Sequence, residues 1–334
     1  MISDFISTPK LTTANTAKAD YVAIFDRAFQ EENTKVAHQS LIPTLQDMSH
    51  EPQILYDALT RLLSSNEFFS ETKVGPVIGI DLHRCPNYHI RVNCFFPLPD
   101  RSSNISHNWI HHHDVRSLTT VNTFGDSGYN SILFKKDFSY HRATKRAEMS
   151  IEREFIHGLH NVEYIPPFVP HVVFIPPSLT ITYALWSSPK SMFLDKLLNS
   201  KSKEYLAKPI KNLADKVHAR KRLDLLIDRH SHHRQFAPNN DHFSCVGNKR
   251  YCQSSNANYV QNIFYALQEV GFQNAPVLSS LRDKSVALGR PDVTNLIDKY
   301  FRNDKIRDVY DPTQLETLGI NFTRESVITA ARSC

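Results

Sequence analysis

IHHHDVRSLTTVNTFGDSGY, residues 110–129, sets three consecutive histidines and an aspartate at the head of an apolar, β-branched run. In an extended chain, side chains alternate between two faces. His111 and His113 therefore share one face, and His112, Asp114 and Arg116 share the other. Two imidazoles at i, i+2 can offer adjacent nitrogens to one metal ion, with a third ligand arriving from a neighbouring strand. The same run also holds His112-x-Asp114, half of a two-histidine-one-carboxylate triad for non-haem iron. Parity lets only one of these pairs face inward, although a β-bulge could blur the separation.

Outward from this run, the chain between about residues 75 and 188 reads as strands. YHIRVNCFF, LTTVNTF, YNSILF, VPHVVFI and LTITYALW are rich in β-formers and separated by Pro-, Gly-, Asn- and Asp-bearing turns. FGDSGY has the composition of a hairpin connection. Short strands at close intervals, with no helices between them, predict a sandwich or small barrel. The fold class expected is mainly β with helical additions.

Helical patterns flank the strands. Tyr21, Val22, Phe25, Ala28 and Phe29 recur at helical spacing. So do Ile54, Leu55, Leu59, Leu62 and Leu63, after Ser49 as a cap and Pro52 in the first turn. Beyond Pro189, Leu194, Leu197 and Leu198 begin a helix, and Leu223, Leu226 and Ile227 close a basic one. Two apolar stripes follow: Tyr259 to Val270, stopped by Gly271, and Val293 to Phe301, behind Pro291-Asp292. The division expected is a helical segment over 1–74 packing on the barrel, the β unit over 75–190 and a helical region over 191–334. RHSHHRQFAPNNDH, with His230, His232, His233 and His242, reads as a solvated connection, or alternatively as a lid over the barrel mouth.

Composition removes several function classes. The net charge of +5 over 334 residues is modest. Its densest basic stretch, residues 201–221, interleaves with Leu206, Ile210, Leu213 and Val217 as a solvated helix face would. Nucleic acid is therefore not expected as a partner. None of the nine glycines falls in a dinucleotide- or phosphate-binding pattern. Five scattered cysteines without a C-x-x-C argue against a zinc ribbon or a redox pair. No apolar run approaches the roughly 18–20 residues that span a bilayer, and the N-terminus lacks a secretory layout. A cytoplasmic protein with no membrane partner is the expectation. The helical stripes would serve either a core or a homodimer interface.

YHIRVNCFFP, the IHHHDVRSLTTVNTFG run and YIPPFVPHVVFIPPSLTITYALWS together resemble the cupin superfamily. The first cupin motif places H-x-H at a barrel mouth, and the second supplies a later histidine after a Pro-rich turn. The resemblance implies a double-stranded β-helix, with His111 and His113 as the first pair of ligands and His171 as the third. It is nearest in flavour to the cysteine-dioxygenase-like branch, in which three histidines hold Fe(II) without a carboxylate. The glutamate usual after H-x-H would fall at Ser117 or Leu118, and neither can ligate as a carboxylate does.

Three neutral imidazoles leave about three open positions on octahedral Fe(II), enough for a bidentate substrate and dioxygen. With no protein carboxylate to offset the +2 charge, an anionic substrate group is favoured. The function expected is an oxygenase acting on a small, amino-acid-derived metabolite. Arg91, Arg116 and Tyr88 are candidates to bind it, and Tyr129, Tyr183 and Asp114 are candidate catalytic residues. Asn122 and Asp114 are candidates to orient the ligands. Each also has an ordinary reading as a packing or surface residue. The alternatives are a 2-oxoglutarate-dependent oxygenase using His112, Asp114 and His171, a non-catalytic ligand- or partner-binding cupin, and zinc or nickel chemistry on the same ligands. His157 and His160, at i, i+3, read as polar residues near the rim rather than as ligands.

Overall fold

The computed structural model describes residues 12–70, 77–98, 104–113, 116–141, 143–187, 235–247, 256–307 and 322–333. The helices expected at 194–198 and 223–227, the basic stretch, His230, His232, His233 and Asp114 lie outside the described residues.

The described residues begin with four α-helices: α1 (Thr12–Glu31), α2 (Thr34–Ser40), α3 (Ile42–Ser49) and α4 (Pro52–Ser64). The α4 N-cap is Glu51, with Pro52 in the first turn, and Ser49 does not cap it. Ser49 Oγ instead donates to the Gln46 carbonyl at 2.6 Å, within the end of α3.

Among the described residues thirteen strands follow: β1 (Val77–Arg84), β2 (Tyr88–Phe95), β3 (Ile110–His111), β4 (Leu118–Phe124), β5 (Tyr129–Phe134), β6 (Ser139–His141), β7 (Arg146–Glu148), β8 (Ile151–His157), β9 (Val162–Ile165), β10 (His171–Val173), β11 (Thr180–Ser187), β12 (Gln235–Asn239) and β13 (His242–Gly247). They form two antiparallel sheets, in the orders β1-β2-β11-β4-β9 and β6-β7-β13-β12-β3-β10-β5-β8. Along β2, β3, β4, β5, β8, β9, β10 and β11 the chain changes sheet at every step except β5 to β8. β2, β4, β9 and β11 lie in the first sheet, and β3, β5, β8 and β10 in the second. This is the strand order of an eight-stranded jelly roll, or double-stranded β-helix. The β4–β5 hairpin turns through Gly125 (φ +102°) and Gly128 (φ +56°), where left-handed backbone favours glycine.

Both sheets bury two faces. Between them, Leu118, Ile165 and Ala184 of the first sheet meet Leu133 of the second. On its outer face the first sheet turns Ile78, Ile90, Val92, Val121, Ile181 and Leu185 into a core shared with α1–α4. The same core includes α5 (Asn256–Glu269), α6 (Ala275–Ala287) and α7 (Pro291–Phe301). The Tyr259–Val270 stripe is thus spent on the core, and α5 is followed by Gly271 at φ +64°. Val327 and Ala330 of α8 (Arg324–Arg332) pack with Ile110, Ile132, Phe134 and Val172 on the outer face of the second sheet.

The region read as helical beyond residue 190 also carries β. Residues 235–247 form the β12–β13 hairpin, and β12 pairs directly with β3. This corrects the reading of FAPNNDH as a solvated connection. Pro238, which usually argues against a strand, sits next to the tip, paired with Phe243. Among the described residues no helix is long and apolar enough to cross a membrane.

Candidate metal centre

The roll brings His111 and His171 face to face: they are direct antiparallel partners between β3 and β10. Ile110 and Val172 both lie in the outer cluster with Phe134, so alternation turns His111 and His171 inward. His113, two residues on, rejoins them. One ring nitrogen from each of His111, His113 and His171 lies within 4.8 Å of the other two. The three ring centroids are separated by 5.0, 4.5 and 4.3 Å.

Backbone groups set the orientation of two of these rings. His111 Nδ1 is 2.9 Å from the Trp109 carbonyl, and His171 Nδ1 is 3.1 Å from that of Val169. A carbonyl only accepts, so in each ring Nδ1 carries the proton and Nε2 keeps its lone pair for a cation. His113 Nε2 lies 3.2 Å from His111 Nε2. Neighbouring ligands on one ion, with bonds of about 2.1 Å, sit about 3.0–3.4 Å apart. All three rings are buried. The three donors, the tautomers of His111 and His171 and the His111–His113 spacing fit a metal ion.

His112 turns the other way, its ring 6.0 Å from that of Phe168. Asp114 lies outside the described residues. At the positions where a carboxylate would complete a cupin set, Ser117 Oγ is 3.4 Å from the Tyr164 hydroxyl and Leu118 joins the apolar interior.

The other expected site residues divide by strand parity. Arg91 lies on the inner face of β2, and its Nε is 2.9 Å from Asp81 Oδ1. Arg116 is exposed, and its backbone N–H donates to the His113 carbonyl at 2.9 Å. Both act electrostatically on His89, which burial first, and then Arg84 and Arg91, hold down at about 4. Arg84, Arg91 and Arg116 thus surround His89, with the Asp81 carboxylate paired to the first two.

Tyr88 and Tyr183 correct the sequence reading, because both belong to the outer, helix-packed face. The Tyr88 hydroxyl donates to Asp26 Oδ1 at 2.9 Å, and Tyr183 is fully buried in that core. Neither reaches the interior of the roll. Tyr129 does face inward, beside Phe95 and His157 at 4.8 and 5.1 Å. However, Leu133 is the residue level with His171, and Tyr129 is four residues further along β5. At 3.3 Å per residue that is about 13 Å from the histidine group. Asn122 is occupied at that same distal end, where it donates to the Gly125 and His157 carbonyls at 3.2 Å each. His157 is buried in β8, which holds its pKa at about 3. His160 stacks on His50 at 3.8 Å, with Ser49 Oγ 2.8 Å from its Nδ1.

Three neighbours of the histidines went unread in the sequence. Trp186, on the inner face of β11, places its ring 4.3 Å from His113. His89 stacks on Trp186 at 6.0 Å and 5°. Gln235 of β12 is buried and pairs with His111 across from His171. Alternation in LTITYALW could have placed Trp186 opposite Tyr183 in face. Gln235, some 120 residues from the cluster, carried no signal.

Neither a family profile nor a curated protein matches the chain. Solved structures do. An RmlC-like cupin from Shewanella frigidimarina is 13% identical, over 36% of this chain and 84% of that one, with a TM-score of 0.23. KdgF from a Halomonas species is 12% identical, over 36% and 84%, with a TM-score of 0.23. An oxalate decarboxylase from Lactobacillus farciminis is 10% identical, over 42% and 39%, with a TM-score of 0.23. The double-stranded β-helix follows from the strand order of the two sheets.

Proposed function

We propose that His111, His113 and His171 hold a ferrous ion and that the protein is an oxygenase of a small, anionic, amino-acid-derived metabolite. The observation that carries this reading is the convergence of three buried imidazoles, two with their Nε2 lone pairs set by backbone carbonyls. If bound, the ion would supply open coordination positions and a one-electron relay between substrate and dioxygen, the substrate being the net reductant.

The chain's own residues do the rest. Trp186, Leu133 and Val169 exclude water from around the imidazoles, which strengthens every charge interaction inside. Arg84, Arg91 and Arg116 attract an anionic substrate to the rim, where a guanidinium fork can grip a carboxylate. His89, held neutral by its surroundings, is able to accept a proton there. Gln235, beside His111, can hydrogen-bond a ligand or substrate.

The turn of His112 towards Phe168 weighs against the His112-Asp114-His171 set and its 2-oxoglutarate chemistry. The test is iron content and oxygen uptake on protein purified without oxygen and screened with chelating amino-acid derivatives. One iron per chain is expected at this group, lost in His111→Ala and in His171→Ala, with uptake more than about a hundredfold lower. Iron at this stoichiometry that survives both substitutions removes the proposal. Succinate formed from 2-oxoglutarate would replace it with the carboxylate triad, and metal-free ligand binding with a non-catalytic cupin.

A further inference from the structure

We propose that Asp26, His83 and Cys85 form a second metal site, of zinc type, on the helix-packed side of the first sheet. A carboxylate oxygen, a ring nitrogen and the sulfur of these three residues lie within 4.8 Å of one another. They come from separate places: Asp26 from α1, His83 from the end of β1, and Cys85 from the turn into β2. Tetrahedral zinc, with bonds of about 2.0–2.3 Å, needs its donors about 3.3–3.6 Å apart. Side-chain rotations of roughly an ångström close the set.

A break in the sheet puts His83 there. The β1–β2 register runs Asp81↔Arg91 and then His83↔Ile90, a bulge that takes in Leu82. Without it, His83 would share the inner face with Asp81, since the two are two residues apart. With it, His83 lies opposite Ile90, whose side chain belongs to the helix-side core. Re-aiming a side chain is a recurrent use of bulges. The His83 ring then stands 5.6 Å from that of Tyr88.

The surroundings have the form of a ligand's support. The Tyr88 hydroxyl donates to Asp26 Oδ1 at 2.9 Å, as groups behind a metal-bound carboxylate commonly do. The Cys85 N–H donates to the Tyr88 carbonyl at 3.0 Å and fixes the turn that carries the sulfur. All three candidate ligands are half-buried, so an ion has a way in. A thiolate and a carboxylate together cancel a +2 charge, and thiolate favours zinc over harder ions. Such a site would clamp α1 to the β1–β2 hairpin and leave a fourth position for water.

Cobalt(II) substitution tests this, because only this site of the two contains sulfur. Full-length protein stripped with chelator and reloaded with cobalt should bind one equivalent beyond the histidine group. It should also show a near-ultraviolet thiolate-to-cobalt charge-transfer band. Cys85→Ser should lose that band and one equivalent. His171→Ala should lose an equivalent and keep the band, which separates failure here from failure of the iron proposal. Asp26→Asn is the second variant, expected to weaken cobalt at this site at least tenfold with an unchanged circular dichroism spectrum. Absence of the band in the parent, or its persistence in Cys85→Ser, overturns the site.

Discussion

On its helix side the first sheet presents Tyr88, Ile90, Val92, Cys94, Ile181, Tyr183 and Leu185 to an apolar core. From the other side of the same two strands come His89, Arg91, Ala184 and Trp186, which face the interior and rim of the roll. One backbone thus carries a packing surface and a chemical surface, separated by single-residue alternation. Tyr88 and Tyr183 have the functional groups of a site and the parity of a core. Their neighbours His89 and Ala184, and Trp186 three residues beyond Tyr183, have the parity of the site.

The sharpest way to break this division is Tyr183→Ala. It deletes a fully buried aromatic ring from the helix-packed face and is expected to cost about 3–5 kcal/mol in urea unfolding. Iron binding per folded chain should be unchanged. A loss of iron affinity in the folded variant would mean that the two faces are coupled.

Acid should strike the packing side next. His38 of α2 is fully buried, with Nδ1 2.7 Å from Thr119 Oγ1 and Nε2 2.9 Å from Ser187 Oγ, tying the helix to β4 and β11. Burial lowers its pKa from 6.5 to about 4. In that interval the unfolded chain binds the proton and the folded one does not. The stabilisation is therefore complete above about pH 6.5, declines as pH falls, and loses nothing more from this group below about pH 4. A decrease of about 2–3 kcal/mol between pH 7 and pH 4 is expected from His38, and His38→Gln should flatten that slope. An unchanged slope in the variant would remove His38 as the cause.

Smaller effects belong to the inner face. Arg91→Ala breaks a half-exposed pair with Asp81 and should change stability by less than about 1 kcal/mol. Binding of an anionic ligand that supports oxygen uptake should weaken about tenfold. Equal binding by the variant would take Arg91 out of the rim. Gly79→Ala sharpens the same point, because a Cβ at Gly79 runs into the Arg91 guanidinium. The guanidinium is the mobile end of its side chain and can move aside. The expected outcome is about a twofold loss of affinity with stability within about 1 kcal/mol.

Much of this fold is legible in the chain. β2, β4, β5, β10 and β11 coincide with runs whose β-branched and aromatic content is dense. α5 and α7 coincide with stripes that repeat at helical spacing. Elements that escape notice do so for local reasons. β8, IEREFIH, lies at the edge of its sheet with Glu152, Arg153 and Glu154 exposed, and charges of this kind protect an edge from further pairing. β12 is short and contains Pro238, so its membership is decided by β3 alongside it.

The sequence by itself determined which residues alternate together: His111 with His113, Arg91 with His89, and Tyr183 with Ile181 and Leu185. Alternation defines two faces and is silent about which of them is enclosed. Only the tertiary structure decided that, because enclosure depends on which strands pair and on what covers each sheet. The roll set His171 against His111 from 60 residues away, the helices claimed Tyr88 and Tyr183, and a single bulge moved His83 from one face to the other. Each outcome follows from long-range pairing, which no local pattern in the chain encodes.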